Sequence, residues 1–232
     1  MALERIHNSM VDVQVDNFNT NQTDLGEKTF TAVNSDVYTT PASTRTLVYS
    51  ILCTNTDSVA RTVTCTLSDN SAGPAEYSLG YQIPLAAGTS IESLRKPKVL
   101  ETSDKIRGLA SLTNVVDVTV VGIPLANDTQ HFNAGVNLTT TALTSLFTGT
   151  SNGQQIESLL LSNITALSTT ATVTWTTNSG GLLIDWVKDL TVPANSTIEI
   201  LDSPKAIATG DTIQVQSSIA NSINAILSGR DK

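Results

Sequence analysis

Histidine is the side chain most often used as a base or metal ligand near neutral pH. This chain of 232 residues has two, His7 and His131. Zinc needs about four Cys, His or carboxylate ligands at short spacing. Neither histidine has such neighbours, and no Cys-x-x-Cys or His-x-x-x-His pair is present. Gly-x-x-x-x-Gly-Lys phosphate loops and Gly-x-Gly-x-x-Gly dinucleotide loops are missing as well. Calcium loops alternate acids with single spacers. Asp12, Asp16 and Asp24, like Asp57 and Asp69, do not, and read as solvated acids. Glu76 and Glu92 are left as a formal acid–base pair, with a Thr-rich strand surface giving no reason for a cleft. The expectation is a chain that is not an enzyme, with no catalytic set, no cofactor and no metal.

Cys53 and Cys65 flank the turn Asn55–Arg61 and could face one another on paired strands. Cross-strand neighbours seldom meet disulfide geometry, so both are read as reduced core thiols, which also suits cytosolic synthesis. Trp175, Trp186, Tyr77 and Tyr81 are of the types that stack on sugars, but all four fall on apolar stripes and are expected in the core.

The elements that would position these groups follow from composition and periodicity. Charged residues make up 15% of the chain and aromatics 4%, with abundant Thr and Ser, which favours strands over exposed helices. Net charge is −8 and the pI is near 4.6, which argues against direct nucleic-acid binding, since that needs a cationic surface. Its longest basic run is Arg95-Lys96-Pro97-Lys98, diluted to Asp202-Ser203-Pro204-Lys205 further on. No apolar run reaches the length of a membrane span, and "MALERIHNSM" lacks the apolar stretch of a secretory signal.

The dominant feature is an internal repeat. "IESLRKPKVLETSDKI" from Ile91 and "IEILDSPKAIATGDTI" from Ile198 share a skeleton 107 residues apart. Ala87–Ser111 aligns with Ala194–Ser218 without a gap, about ten of 25 positions being identical. Upstream, Cys53-Thr54-Asn55 is matched to Leu161-Ser162-Asn163 and Val63-Thr64-Cys65 to Val173-Thr174-Trp175; Trp186 is matched to Leu79. Downstream, Val116, Val118 and Val120 match Ile223, Ala225 and Leu227.

Within each copy the apolar period is two. It runs through Leu47, Tyr49, Ile51 and Cys53, and through Leu182, Ile184 and Trp186. Turn clusters such as Asp69–Pro74 and Asn178–Gly181 separate the runs. Pro97 and Pro204 mark strand breaks, and Asp104 and Asp211 are placed to accept backbone N–H groups in a tight turn. The expected fold is all-β: two tandem β-sandwiches, Ig-like or jelly-roll-like, from an internal duplication. Boundaries are set at 1–35 for an extended arm, 36–125 and 136–232 for the sandwiches, and 126–135 for a linker. In the arm, Val11, Val13, Val15 and Phe18 are the candidate protein-interaction residues, adding a strand to a neighbour's sheet edge.

The stretches "TRTLVYSILCTNTDSVARTVTCTLSD", "IPLAAGTSIESL", "IESLLLSNITALSTTATVTW" and "LTVPANSTIEIL" resemble small tandem β-sandwich virion proteins of tailed bacteriophages, of the cyanophage and marine-phage type. The resemblance covers 37–125 and 136–230, with departures at Pro84 and at Asn195, where the pattern has Gly. It implies a non-catalytic structural protein in many copies, either a capsid decoration or cement protein or a neck or tail accessory. Its implied partners are other virion proteins (major capsid, portal or tail) and further copies of itself. Its implied place is the virion, assembled in the host cytoplasm. The alternative is a glycan-binding module of a tail fibre or another host-recognition protein.

Overall fold

The computed structural model describes residues 22–70, 75–150 and 153–231. Its first half contains, among the described residues, β1 (Thr23–Thr29), β2 (Ser35–Thr39), β3 (Thr44–Asn55), β4 (Arg61–Asp69), β5 (Ala75–Leu85), β6 (Ser90–Glu92), β7 (Lys98–Leu100), β8 (Lys105–Ala110) and β9 (Val116–Ala126). Sheet β1-β9-β3-β6 faces sheet β2-β8-β4-β5, with every pairing antiparallel. β6 and β7 both pair with β3, so they are two pieces of one strand interrupted around Pro97, which cannot donate to the ladder.

The second half repeats this plan with β10 (His131–Asn137), β11 (Thr144–Thr148), β12 (Gln154–Asn163), β13 (Thr169–Thr176), β14 (Leu183–Val192), β15 (Thr197–Glu199), β16 (Lys205–Ile207), β17 (Thr212–Ser217) and β18 (Ile223–Arg230). Its sheets are β10-β18-β12-β15 and β11-β17-β13-β14, with β16 also on β12 beyond the break at Pro204. Counting each interrupted strand once, the described residues of each half form an eight-stranded, two-sheet jelly roll.

Two expected boundaries move. Residues 23–29, expected in the arm, form a strand of the first sandwich, and β10 takes in 131–135 of the segment expected as linker, leaving 127–130 between β9 and β10. Val11, Val13, Val15 and Phe18 lie outside the described residues.

The same local devices recur in both halves. Asn55 closes β3, its Nδ2 donating to the carbonyls of Val59, Leu85 and Ala86. Asn163 closes β12 by donating to Leu167, Val192 and Pro193. Gln82 and Asp189 both have positive φ at a bulge, and each N–H is caught by a threonine hydroxyl, Thr64 and Thr172 respectively. Gly88 (φ 65°) and Asn195 (φ 50°) share a left-handed turn, which explains the Gly-to-Asn exchange there.

Bulges also correct two readings. Between Val48 and Ser50 the register slips, so Val48, Ile51 and Cys53 are buried while Leu47 and Tyr49 leave the core stripe. Trp175 pairs with Ile213, whose counterpart Ile106 pairs with Leu67. Trp175 therefore corresponds to Leu67, and the counterpart of Cys65 is Val173.

Candidate functional site: the seam between the sandwiches

β12 reads Ile-Glu-Ser-Leu-Leu-Leu-Ser-Asn, apolar on consecutive positions. A strand with one wet face alternates; a strand buried on both faces does not. Ile156, Leu159 and Leu161 point into the second core, while Ser158, Leu160 and Ser162 point the other way and are equally buried. What buries them is the first sandwich. Its edge, β5 and β7, lies across the outer face of β10, β12, β15 and β18, and Leu160 and Ile226 belong to the first sandwich's hydrophobic cluster.

Polar groups pair across this seam, although the buried Ser78 hydroxyl itself has no partner. Ser162 donates its hydroxyl to the Ser78 carbonyl (2.5 Å), and Asn224 Oδ1 accepts the Ser78 N–H (3.1 Å). Val99 N–H donates to Ser228 Oγ (3.0 Å), and Asn133 Nδ2 donates to the Val99 carbonyl (3.0 Å). Tyr77 donates its hydroxyl to the Gly135 carbonyl (3.0 Å). A Cβ on Gly135 would fall 2.4–2.7 Å from that tyrosine ring, so the close approach requires glycine there.

At the centre stands a buried ion pair. Lys98, fully buried, sets Nζ 2.8 Å from Glu199 Oε2 and also bonds Ser158 Oγ. Glu199 further accepts the Leu159 N–H at 2.6 Å. Burial pulls the Lys98 ammonium below its ordinary pKa, and Glu199 opposes that pull.

The first sandwich carries the same receiving pocket without an occupant among the described residues. Glu92 takes the place of Glu199 and accepts from Ser50 Oγ, Ile51 N–H and Leu94 N–H. Leu52, in the place of Leu160, is 41% exposed, and Lys205, in the place of Lys98, is exposed and bonds its neighbour Ser203 at 3.2 Å.

The residues singled out for chemistry are scattered. The Cys53 and Cys65 sulfurs are 3.6 Å apart, both buried and not joined in a disulfide; that contact and burial push the Cys53 thiol's pKa far up, so Cys53 stays an unreactive thiol. Trp175 and Trp186, expected in the core, are half-buried against the second core with ring centroids 6.4 Å apart. Trp175 Nε1 donates to Asp211 Oδ2 (3.0 Å). Tyr77 is buried, but in the seam. His131 Nδ1 lies 2.8 Å from Asp128 Oδ2, beside an open depression of about 380 Å³ lined by Ser43, Arg45 and Glu101. Glu76 pairs with Arg107, far from Glu92 in role: one holds a surface network with Asp36 and Lys105, the other a strand. Among the described residues no three His, Cys, Asp or Glu converge as metal ligands.

Sequence reasoning missed two things. Gly149-Thr150-Ser151-Asn152-Gly153 has Gly-x-Ser-x-Gly spacing, but it links β11 to β12, whereas a nucleophile elbow joins a strand to a helix. Lys98 and Glu199 were legible only as parts of a turn signature. The signal that could have found them is the unbroken apolar run in β12.

Fold and seam together define an all-β protein of two antiparallel jelly rolls, joined edge on face through a buried polar contact. No family model matches the chain, and no curated protein matches it. Among solved structures it overlaps the STIV MCP at a TM-score of 0.30 and 13% identity, covering 90% of this chain and 95% of that one. It overlaps the atomic structure of Sulfolobus Turreted Icosahedral Virus at a TM-score of 0.29 and 12% identity, covering 92% and 60%. It overlaps the tandem CBM22 domains of Paenibacillus barcinonensis Xyn10C at a TM-score of 0.27 and 7% identity, covering 91% and 86%. Overlaps this loose carry no argument about the chain.

Proposed function

We propose that this chain is a non-catalytic virion structural protein of a tailed bacteriophage, used in many copies and bound to other virion proteins, as a capsid decoration or cement protein or a neck or tail accessory. The observation that carries the reading is the pair of jelly rolls locked together by Lys98 and Glu199, together with the strand and turn signatures that resemble phage virion proteins. Jelly rolls recur in viral capsid and lectin domains, and fold alone does not choose between them. A lectin needs an open aromatic platform. Trp175 and Trp186 are packed against the second core, and Trp175 spends its N–H on Asp211. An assembly protein needs a rigid body with spare strand surface, which the outer face of β1, β3 and β9 supplies. Avidity over many symmetric copies then makes modest contacts sufficient.

The test is incorporation into particles. Because β1 starts at Thr23, the arm is removed by deleting residues 1–21. The truncated chain is expected to fold with an unchanged unfolding midpoint and to be lost from purified particles. Normal incorporation would refute the arm's role, and absence of the intact chain from purified particles would refute the virion reading. Glycan binding that disappears in Trp186→Ala with folding intact would favour the lectin alternative.

A further inference from the structure

Among the described residues, the seam inside one molecule has an unfilled counterpart at each end. The second sandwich receives the first on the face bearing Ser158, Leu160, Ser162 and Glu199. The first sandwich bears Ser50, Leu52, Thr54 and Glu92 at the same places on β3 and β6, facing away from its own core. The presenting edge is duplicated too. Lys98 and β5 fill that role in the first sandwich; Lys205 and β14 are their counterparts in the second. Leu182 (60% exposed) and Leu183 (52% exposed) stand at the beginning of that second edge.

We propose that the open face of the first sandwich is the docking site for the second sandwich of another copy of this chain. Molecules then join head to tail, with Lys205 of one copy set against Glu92 of the next.

Three observations choose a second copy as the occupant. The equivalent face is already filled by a jelly roll of this chain. Lys205 and Glu92 match in charge, an exposed ammonium at one end and at the other an exposed carboxylate already held in place by Ile51 and Leu94 N–H groups, whereas Asp185 takes the place of Ser78 and Asp117 that of its partner Asn224. The exposed apolar side chains match as well, Leu52 at the receiving end and Leu182 and Leu183 at the presenting end. Acceptors persist on the receiving face, with Asp117 in the place of Asn224 and Thr54 in that of Ser162. Val121 replaces Ser228, Asp24 replaces Asn133, Ile184 replaces Tyr77 and Glu27 replaces Gly135, so the seam hydrogen bonds made by Ser228, Asn133 and Tyr77 have no equivalent. The contact between molecules is therefore weaker than the seam within one. Its two surfaces differ, so it is heterologous and gives a closed ring or an open filament rather than a two-fold dimer.

The inference deepens the assembly reading and rests on it only for its biological setting; its test uses purified full-length chain, so failure here leaves incorporation into particles untouched. Sedimentation velocity over a concentration series is run on the intact chain, on Leu52→Asp and on Lys205→Glu. Both substituted side chains are solvent-facing, and matching unfolding midpoints verify the folds; Leu183→Asp serves as a second variant at the presenting end. The intact chain is expected to form species larger than a monomer. Each variant alone should be monomeric, with association weakened by about a hundredfold or more. An equimolar mixture of Leu52→Asp and Lys205→Glu should form dimers and stop there, because each retains one sound end. A monomeric intact chain would overturn the proposal, as would association unchanged by either variant, or a mixture that stays monomeric. Association lost on deleting residues 1–21 but kept in both variants would assign the contact to the N-terminal segment and overturn it too.

Discussion

Glu92 and Glu199 occupy the same place in two copies of one fold, and both hold a strand by accepting backbone N–H groups. Glu199 faces a buried lysine from the other sandwich; Glu92 faces solvent. Lys98 and Lys205 show the complementary difference, one sealed in the seam and one exposed. The carboxylate's structural duty thus belongs to the jelly roll itself, and the ion pair was added where a neighbour arrived. A buried ion pair gains little over well-packed apolar groups, but it tolerates the loss of one partner badly, because the other is left charged and dry. In a seam, that property fixes which surfaces meet.

The sharpest way to break the comparison is to neutralise the two lysines separately. Lys98→Met leaves Glu199 and Ser158 buried without their cation. It is expected to cost about 3–5 kcal/mol, read by chemical denaturation, with a second transition emerging as the sandwiches part. Lys205→Met alters an exposed side chain and is expected to stay within about 0.5 kcal/mol in monomeric protein. Equal costs at the two positions would mean that the seam is not where the lysines differ.

Much of this fold was legible beforehand, for a physical reason. The repeated Pro-Lys break, the Asp turn and the Asn that closes β3 and β12 are each local devices, written in a few adjacent residues. Bulges are less legible. Nothing at Val48–Ser50 or at Gln82 announces an extra residue, so the strict alternation put Leu47 and Tyr49 on the wrong stripe, and Trp175 was matched to Cys65 instead of Leu67. The seam was least legible, because a lysine beside proline reads as a solvated turn until a second domain covers it. Only Leu159-Leu160-Leu161, apolar on both faces, hinted at a cover. Leu52 between Ile51 and Cys53 gives the same hint in the first copy.

A smaller effect separates the two turn aspartates. Burial raises the Asp104 carboxyl above its ordinary 3.8 despite N–H donors from Asn70 and Glu101 and the Asn133 amide. Burial also acts on Asp211, but there the N–H groups of Asn178 and Ala208 with Trp175 Nε1 outweigh it and hold the carboxyl below 3.8. The signs are opposite. The folded state holds its proton at Asp104 longer than the unfolded chain does, so that residue's contribution falls as pH rises from 3.8 through its raised value. At Asp211 the contribution is complete above 3.8 and is lost as pH falls through its lowered value. Measured between about pH 3 and pH 7, the stability gap between the intact chain and Asp104→Asn should shrink as pH rises, and the gap for Asp211→Asn should grow. Gaps moving in the same direction would mean that seam burial does not distinguish the two turns.

The smallest expected effect tests the corrected register. If Cys65 corresponds to Val173, valine already fills that site in a sandwich of the same plan, between inward-facing neighbours on paired strands. Cys65→Val adds little volume, removes a thiol that contacts Cys53 and leaves no polar group unpaired. It is expected to change stability by less than about 1 kcal/mol. Cys65→Trp, the exchange implied by matching Cys65 to Trp175, would force an indole into a fully buried position opposite Gly108, where the Phe30 ring and the Thr64 carbonyl already fill the space of a Cβ. That overpacking is expected to cost about 3 kcal/mol or more. Thermal unfolding of the two variants side by side decides between the registers, since only the correct one makes valine the native-like choice.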